Sequence, residues 1–269
     1  MRRNPRARRG DARFAARVTI RIGGVPYGVG APLLHGLDAA PGVELVQAPP
    51  TSLITRLREG TLDAALVSSV EAVRAPGYTI APGLGIACKH EIRSVRAFRR
   101  RGVLVRRVGL DRSSATSVAL LQLLLATTRA AETAPPLSFE TIAPTRTPDA
   151  LPHDLVLLIG DPGLAADPGE REAWDLGAEW RAWTGLPFVF AVWLLRPGAD
   201  AERIVPVLRA ARERGRGLGA VDGTHGAAHY DLDDEDLAGL RRFWRECRAR
   251  GLATAADPAF AAARGGGPG

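Results

Sequence analysis

The segment IACKHEIRSV, residues 86–95, sets a thiol, an amine, an imidazole and a carboxyl side by side at Cys88, Lys89, His90 and Glu91, and Lys89 is the only lysine of the chain. On an extended segment alternate side chains share a face, which pairs Cys88 with His90 and Lys89 with Glu91. A thiol beside an imidazole is either a nucleophile with its base or half of a metal site. A lysine or histidine at the rim of a cleft can contact a carboxylate, and four polar residues between apolar runs also make a solvated turn. No third ligand or orienting group accompanies the pair. A second set of candidates is hydroxylic. Ser68 and Ser69 close one apolar run, Ser114, Thr116 and Ser117 open another, and Tyr27 and Asp161 sit beside Gly28 and Gly160. Hydroxyls and free N–H groups at a helix start can bind a carboxylate or phosphate, and each serine can equally be a plain N-cap. Four such loops together point to a polar cleft for a small anion.

Positioning these groups needs a scaffold, and the hydrophobic pattern supplies one. Strands are expected at residues 18–22, 43–47 and 64–67. Between them lie a short helix carrying Leu33, Leu34 and Leu37, and one that starts at Pro49, Pro50 and Thr51, buries Leu53, Ile54 and Leu57, and stops at Gly60. Such a βαβαβ run builds a parallel sheet with helices on both faces, and ligands bind beyond the C-terminal ends of its strands. Further strands are expected at 92–98, 106–109, 155–159 and 188–195. Helices are expected at 118 to about 131, 174–184, 201–214, near 220–229, and at 233–250, where acids in the first turn and arginines in the last suit the helix dipole. His225 and His229, one helical turn apart, read as surface residues. The fold class is α/β.

Charge and composition remove several function classes. The 269 residues are 46% hydrophobic and 24% charged, and no apolar run approaches the ~20 residues of a membrane span. Net charge is +7, but eight of the 36 basic residues and one of the 29 acidic ones lie in residues 1–21, which leaves 28 of each in the rest. The body is therefore neutral, and nucleic acid binding is expected, if anywhere, only as a nonspecific property of the arginine-rich arm. Two cysteines far apart, Cys88 and Cys247, fit a reducing compartment and argue against a disulfide framework. A cytoplasmic location is the expectation.

Longer motifs narrow this. DLGAEWRAWTGLPFVFAVW (175–193), LDAALVSSVEAVRAPGY (62–78), SATSVALLQLLL (114–125), LLIGD (157–161) and DLDDEDLAGLRRF (231–243) resemble, in order, the menaquinone-biosynthesis family, in its chorismate dehydratase (MqnA) branch. The resemblance covers roughly residues 18–252. It implies a two-lobed, type 2 periplasmic-binding-protein-like fold with a ligand cleft between the lobes. Lobe 1 is expected from 18–100 plus 197–252 and lobe 2 from 101–196, flanked by a disordered basic arm (1–17) and a flexible tail (253–269). It also implies a lyase that removes water from chorismate in the futalosine pathway, without metal or organic cofactor, and whose partner is a small carboxylate. Substrate contacts are expected from Tyr27, Ser68, Ser69, Cys88, Lys89, His90, Ser114, Thr116, Ser117 and Asp161. Two positions depart from the family pattern. Val29 stands where the family carries an asparagine considered catalytic, and Cys88 to Glu91 replace Ser-Asp-Gly-Pro. These changes keep open an alternative, a divergent homologue that binds or senses a small cyclic carboxylate. Four of the five tryptophans, Trp174, Trp180, Trp183 and Trp193, are expected to pack the lobe and hinge region.

Overall fold

The computed structural model describes residues 19–111, 113–218 and 228–262. The strands are β1 (Ile20–Gly24), β2 (Val43–Gln47), β3 (Ala64–Ser68), β4 (Thr79–Cys88), β5 (Val95–Arg99), β6 (Val105–Leu110), β7 (Thr133–Thr141), β8 (Leu155–Ile159), β9 (Glu172–Asp175), β10 (Phe188–Leu195), β11 (Ala228–Asp231) and β12 (Ala259–Phe260). The helices are α1 (Ala31–Leu34), α2 (Pro50–Arg58), α3 (Ala115–Leu125), α4 (Asp161–Ala165), α5 (Leu176–Thr184), α6 (Ala201–Arg214) and α7 (Asp234–Ala249). Two sheets form, and each is the floor of one lobe. The larger runs β11-β4-β10-β3-β1-β2 with β12 alongside β4, and the smaller runs β7-β6-β8-β5-β9.

The expected βαβαβ start is present. β1 pairs in parallel with β2 and β3, and β3, apolar until its final serine, is buried at all five positions in the sheet interior. Helix α2 begins with Pro50 in its first turn and buries Leu53, Ile54 and Leu57, as its spacing requires. Helix α7 is held by a capping box between Asp233 and Asp236. Among the described residues no helix is long and apolar enough to cross a membrane.

The lobe boundaries differ from expectation. Strand β10, expected in lobe 2, lies antiparallel between β3 and β4 in the larger sheet, with Ala191 opposite Ser68 and Phe188 opposite Cys88. A run apolar on both faces suits only an interior position, and that sheet provides it. Strand β5, expected in lobe 1, pairs with β8 and β9 in the smaller sheet. Strand β4 escaped the sequence reading because Pro82, Gly83 and Gly85 break its apolar pattern, and its pairing with β10 is correspondingly irregular. Strand β7 was likewise not expected. Helix α3 stops at Leu125, short of 131, and α5 begins at Leu176 because Asp175 is its N-cap. Ala228–Asp231 is strand, not helix, and His225 lies outside the described residues. The supposed tail is anchored in its first part, where Ala259 and Phe260 pair with Thr79 and Ile80 of β4. Residues 263–269 of the tail, and residues 1–17, also lie outside the described residues.

The chain passes between the lobes twice, from β4 to β5 and, through α5, from β9 back to β10. Asp175 joins the two crossings. Its carboxylate accepts from the N–H groups of Ile92 (3.0 Å) and Arg93 (2.6 Å) on the first, and of Gly177 and Ala178 (3.0 Å each) on the second. The two strands of chain approach so closely that a Cβ on Gly177 would stand 2.5 Å from Cys88 Sγ and 2.8 Å from His90 O. Aromatic edges fill the region behind. Trp180 meets Trp183, Phe188 and Phe243 in T-shaped contacts, and its Nε1 donates to Pro187 O at 2.9 Å. Asp175→Ala leaves four N–H groups without their acceptor, and is expected to lower unfolding stability by about 2–3 kcal/mol in urea titration, with unchanged slope.

Candidate functional site

A cleft lies where the strand ends of the two sheets face each other. Its walls are mainly apolar, with Val25, Val29, Ile86, Ile92, Val95 and Phe190 prominent, and none of its described lining residues is acidic or basic. Polarity comes from hydroxyls: Tyr27 from the loop after β1, Ser68 from the end of β3, Ser94 at the start of β5, and Ser113, Ser114 and Ser117 around the start of α3.

Helix α3 accounts for this cluster. Ser114 is its N-cap and accepts from Ser117 N at 3.3 Å, while Ser117 Oγ donates to Ser114 Oγ at 3.1 Å. Ser68 Oγ lies 3.4 Å from Ser114 Oγ, so a strand end of one lobe meets a helix start from the other. The positive end of an eleven-residue helix thus opens on three hydroxyls, an arrangement suited to a carboxylate.

Below α3 the loop turns on Asp111, only 3% exposed. One of its oxygens accepts from both Ser113 N (3.0 Å) and the Ser113 hydroxyl, and the other, Oδ2, has no partner among the described residues. Burial and then the negative charges of Asp111 and Asp161 push the Tyr27 phenol pKa above its ordinary value, outweighing the opposing effect of the neighbouring Ser113 hydroxyl.

Of the expected contacts, Tyr27, Ser68, Ser114 and Ser117 line the cleft together. Ser69 and Thr116 do not. Both are fully buried behind it, where Ser69 Oγ donates to Val189 O at 2.7 Å and lies 3.3 Å from Thr116 Oγ1, which accepts from Val70 N. Their hydroxyls join the lobes. Asp161 begins α4 as an exposed residue and reaches Tyr27 only through its field.

The Cys88–Glu91 cluster is dispersed by the fold. Strand β4 ends at Cys88, so the segment is not extended, and Cys88 and His90 do not share a face. The Cys88 thiol is buried, donates to His90 O at 3.3 Å, and has its pKa raised by burial and then by Asp175, the reverse of an activated nucleophile. His90 and Glu91 are exposed. Lys89 turns to α7, 2.7 Å from Asp233, 3.2 Å from Asp236 and 3.5 Å from Glu235. Among the described residues no group of three or more His, Cys, Asp and Glu side chains is placed to hold a metal ion.

Ser94 and Phe190 line the cleft without having been singled out, and Ser113 lines it as the first residue of the hydroxyl run at the start of α3. Ser94 lies in the same ten-residue segment as the cluster, and its signal was a lone hydroxyl ahead of the apolar run of β5. Phe190 sits in the aromatic signature, but its place in the cleft depends on β10 lying beside β3.

Two α/β lobes around such a cleft define a periplasmic-binding-protein-like fold. The chain superposes with a TM-score of 0.55 on the periplasmic aliphatic sulphonate-binding protein SsuA of Escherichia coli, at 13% identity, covering 87% of this chain and 93% of that one. A protein of Archaeoglobus fulgidus superposes with a TM-score of 0.62 at 15% identity, over 88% and 99% of the two chains. The particular family follows from sequence. Residues 20–220 match the family model for menaquinone biosynthesis, and the chain is 34% identical over 258 residues to the chorismate dehydratase of Thermus thermophilus, covering 82% of this chain and 92% of the relative. The protein belongs to the menaquinone-biosynthesis family.

Proposed function

We propose that the protein is a chorismate dehydratase, converting chorismate to 3-[(1-carboxyvinyl)oxy]benzoate in the cytoplasm as a step of the futalosine route to menaquinone. The observation that carries this reading is the cleft itself, a hydroxyl-edged helix start facing apolar walls between two lobes, in a chain 34% identical to a chorismate dehydratase. The chemistry asks little of the protein. Loss of the ring hydroxyl and of the proton on the adjacent ether-bearing carbon makes the ring aromatic, so the site must hold, orient and exclude water. The start of α3, with Ser68, Ser114 and Ser117, meets a carboxylate by dipoles instead of a cation. Phe190, Ile92 and Val29 flank the ring. Because Val29 can neither donate nor accept, the substrate's own side-chain carboxylate is the base in this reading.

Incubation of the purified protein with chorismate, followed by mass spectrometry, is expected to show loss of one water, and chorismate is expected to raise the unfolding temperature. Absence of both product and thermal shift sinks the proposal. A thermal shift without product would favour the second reading, a homologue that binds a cyclic carboxylate without transforming it, for which Val29 in the cleft wall is the specific support.

A further inference from the structure

The polar wall of the cleft is not uniform. Near Ser114 it offers donors, while at Tyr27 and Ser113 it is backed by Asp111 and faced by the field of Asp161. Asp111 is buried and its Oδ2 has no partner among the described residues, a costly state for a carboxylate oxygen unless a bound molecule offers it a donor. Because Ser113 gives its proton to Asp111, it can only accept from a third group. Tyr27, which lines the same wall and interacts with Ser113, is therefore the group of the trio with a proton to give to a ligand.

We propose that Tyr27, oriented by Ser113 and Asp111, is the proton donor to the departing hydroxyl, and that this corner admits the hydroxyl-bearing edge of the ligand while turning its carboxylates toward α3. The inference rests on the dehydratase reading. In the step, the ring C–O bond breaks and its electron pair leaves with oxygen. The phenol proton passes to that oxygen to give water, and the C–H pair on the adjacent carbon enters the ring. The proton taken up by the substrate's carboxylate resets the phenolate. The raised pKa of Tyr27 keeps the phenol protonated through neutral pH, and hydroxide is a far stronger base than phenolate, so the transfer remains downhill.

Steady-state turnover of chorismate and equilibrium binding of the product, which lacks the hydroxyl, are to be measured for wild type, Tyr27→Phe and Asp111→Asn. Tyr27→Phe is expected to lower kcat about 100-fold or more while changing product affinity by less than about threefold. Asp111→Asn, which removes the charge but can still accept from Ser113, is expected to tighten binding of benzene-1,3-dicarboxylate about tenfold, by lifting repulsion at this corner. A kcat for Tyr27→Phe within about threefold of wild type, a parallel loss of product affinity, or unchanged or weaker dicarboxylate binding by Asp111→Asn overturns the inference. Failure of wild type to turn chorismate over overturns the dehydratase reading instead, and the two failures are thereby distinct.

Discussion

Val29→Asn is expected to raise kcat for chorismate dehydration on the order of 100-fold, whereas Cys88→Ser leaves it within about twofold. Both positions depart from the family pattern, but only Val29 is in the cleft wall, one turn of loop beyond Tyr27. An amide there would aim a preorganised donor and acceptor at a ligand held in a site with no described charged lining, where each such group has its full effect. Cys88 differs in kind. The residue is 1% exposed, with its sulfur turned to His90 O and packed on the first turn of α5, so a hydroxyl there only replaces one weak donor by a stronger one toward the same carbonyl. Steady-state kinetics of the two single variants decides the matter. A flat response to Val29→Asn would mean that residues 27–32 do not align with the family's first loop as supposed, and a large gain from Cys88→Ser would mean that the crossing from β4 to β5 opens toward the ligand.

Residues whose role is set by local chain geometry were legible in the sequence. Ser114 is an N-cap because a hydroxyl precedes an apolar helix, and Pro50, Gly60 and the acids ahead of α7 punctuate the chain as their backbone preferences require. Residues whose role depends on a distant partner were not. Ser68 and Ser69 are neighbours with the same side chain, yet one faces the cleft and the other donates to Val189, 120 residues away, because β3 ends at Ser68 and the chain turns into a 3-10 helix at Ser69. Nothing local to either serine says which side is which. Thr116 was lost in the same way, since its position on α3 aims it at Val70 of the other lobe. The run at 188–195 was plainly a strand, but its membership of the larger sheet is a property of the gap between β3 and β4. The Cys88–Glu91 cluster departs from expectation for a related reason. Alternation of side chains requires an extended backbone, but the segment leaves its strand at Cys88 and passes through Arg93 at φ 65°, in the left-handed region.

Lys89, the most conspicuous residue of that cluster, is assigned a structural task with a measurable cost. Asp236 is fully buried at the start of α7, where Oδ2 accepts from Asp233 N at 3.0 Å and shares a hydrogen bond with His229 Nε2 at 2.8 Å, while the Lys89 ammonium is the nearest cation, 3.2 Å from Oδ1. Breaking a buried ion pair from one side costs about 3–5 kcal/mol. Lys89 is partly exposed and Asp236 keeps its other bonds, so Lys89→Met is expected to destabilise by about 2 kcal/mol, a fall in Tm of roughly 4–8 °C. Asp236→Asn in the Lys89→Met background should recover part of the loss, because it removes the stranded charge while leaving an acceptor for the Asp233 N–H. The pH dependence follows from the same contacts. The Lys89 hydrogen bond and then the backbone N–H of Asp236 hold the Asp233 pKa down at about 2, below its ordinary 3.8, so its contribution is complete above the ordinary value and disappears as pH falls through about 2. Burial pulls the Lys89 pKa down, but the bonds and charges of Asp233 and Asp236 outweigh it and leave it raised, so that contribution is present below the ordinary 10.5 and lost only at still higher pH. Urea unfolding of wild type and Lys89→Met should therefore show a constant gap from about pH 5 to pH 9 that narrows between about pH 4 and pH 2. Equal stability of the two proteins at pH 7 would remove Lys89 from the structure of the fold and return it to the list of groups available to a ligand.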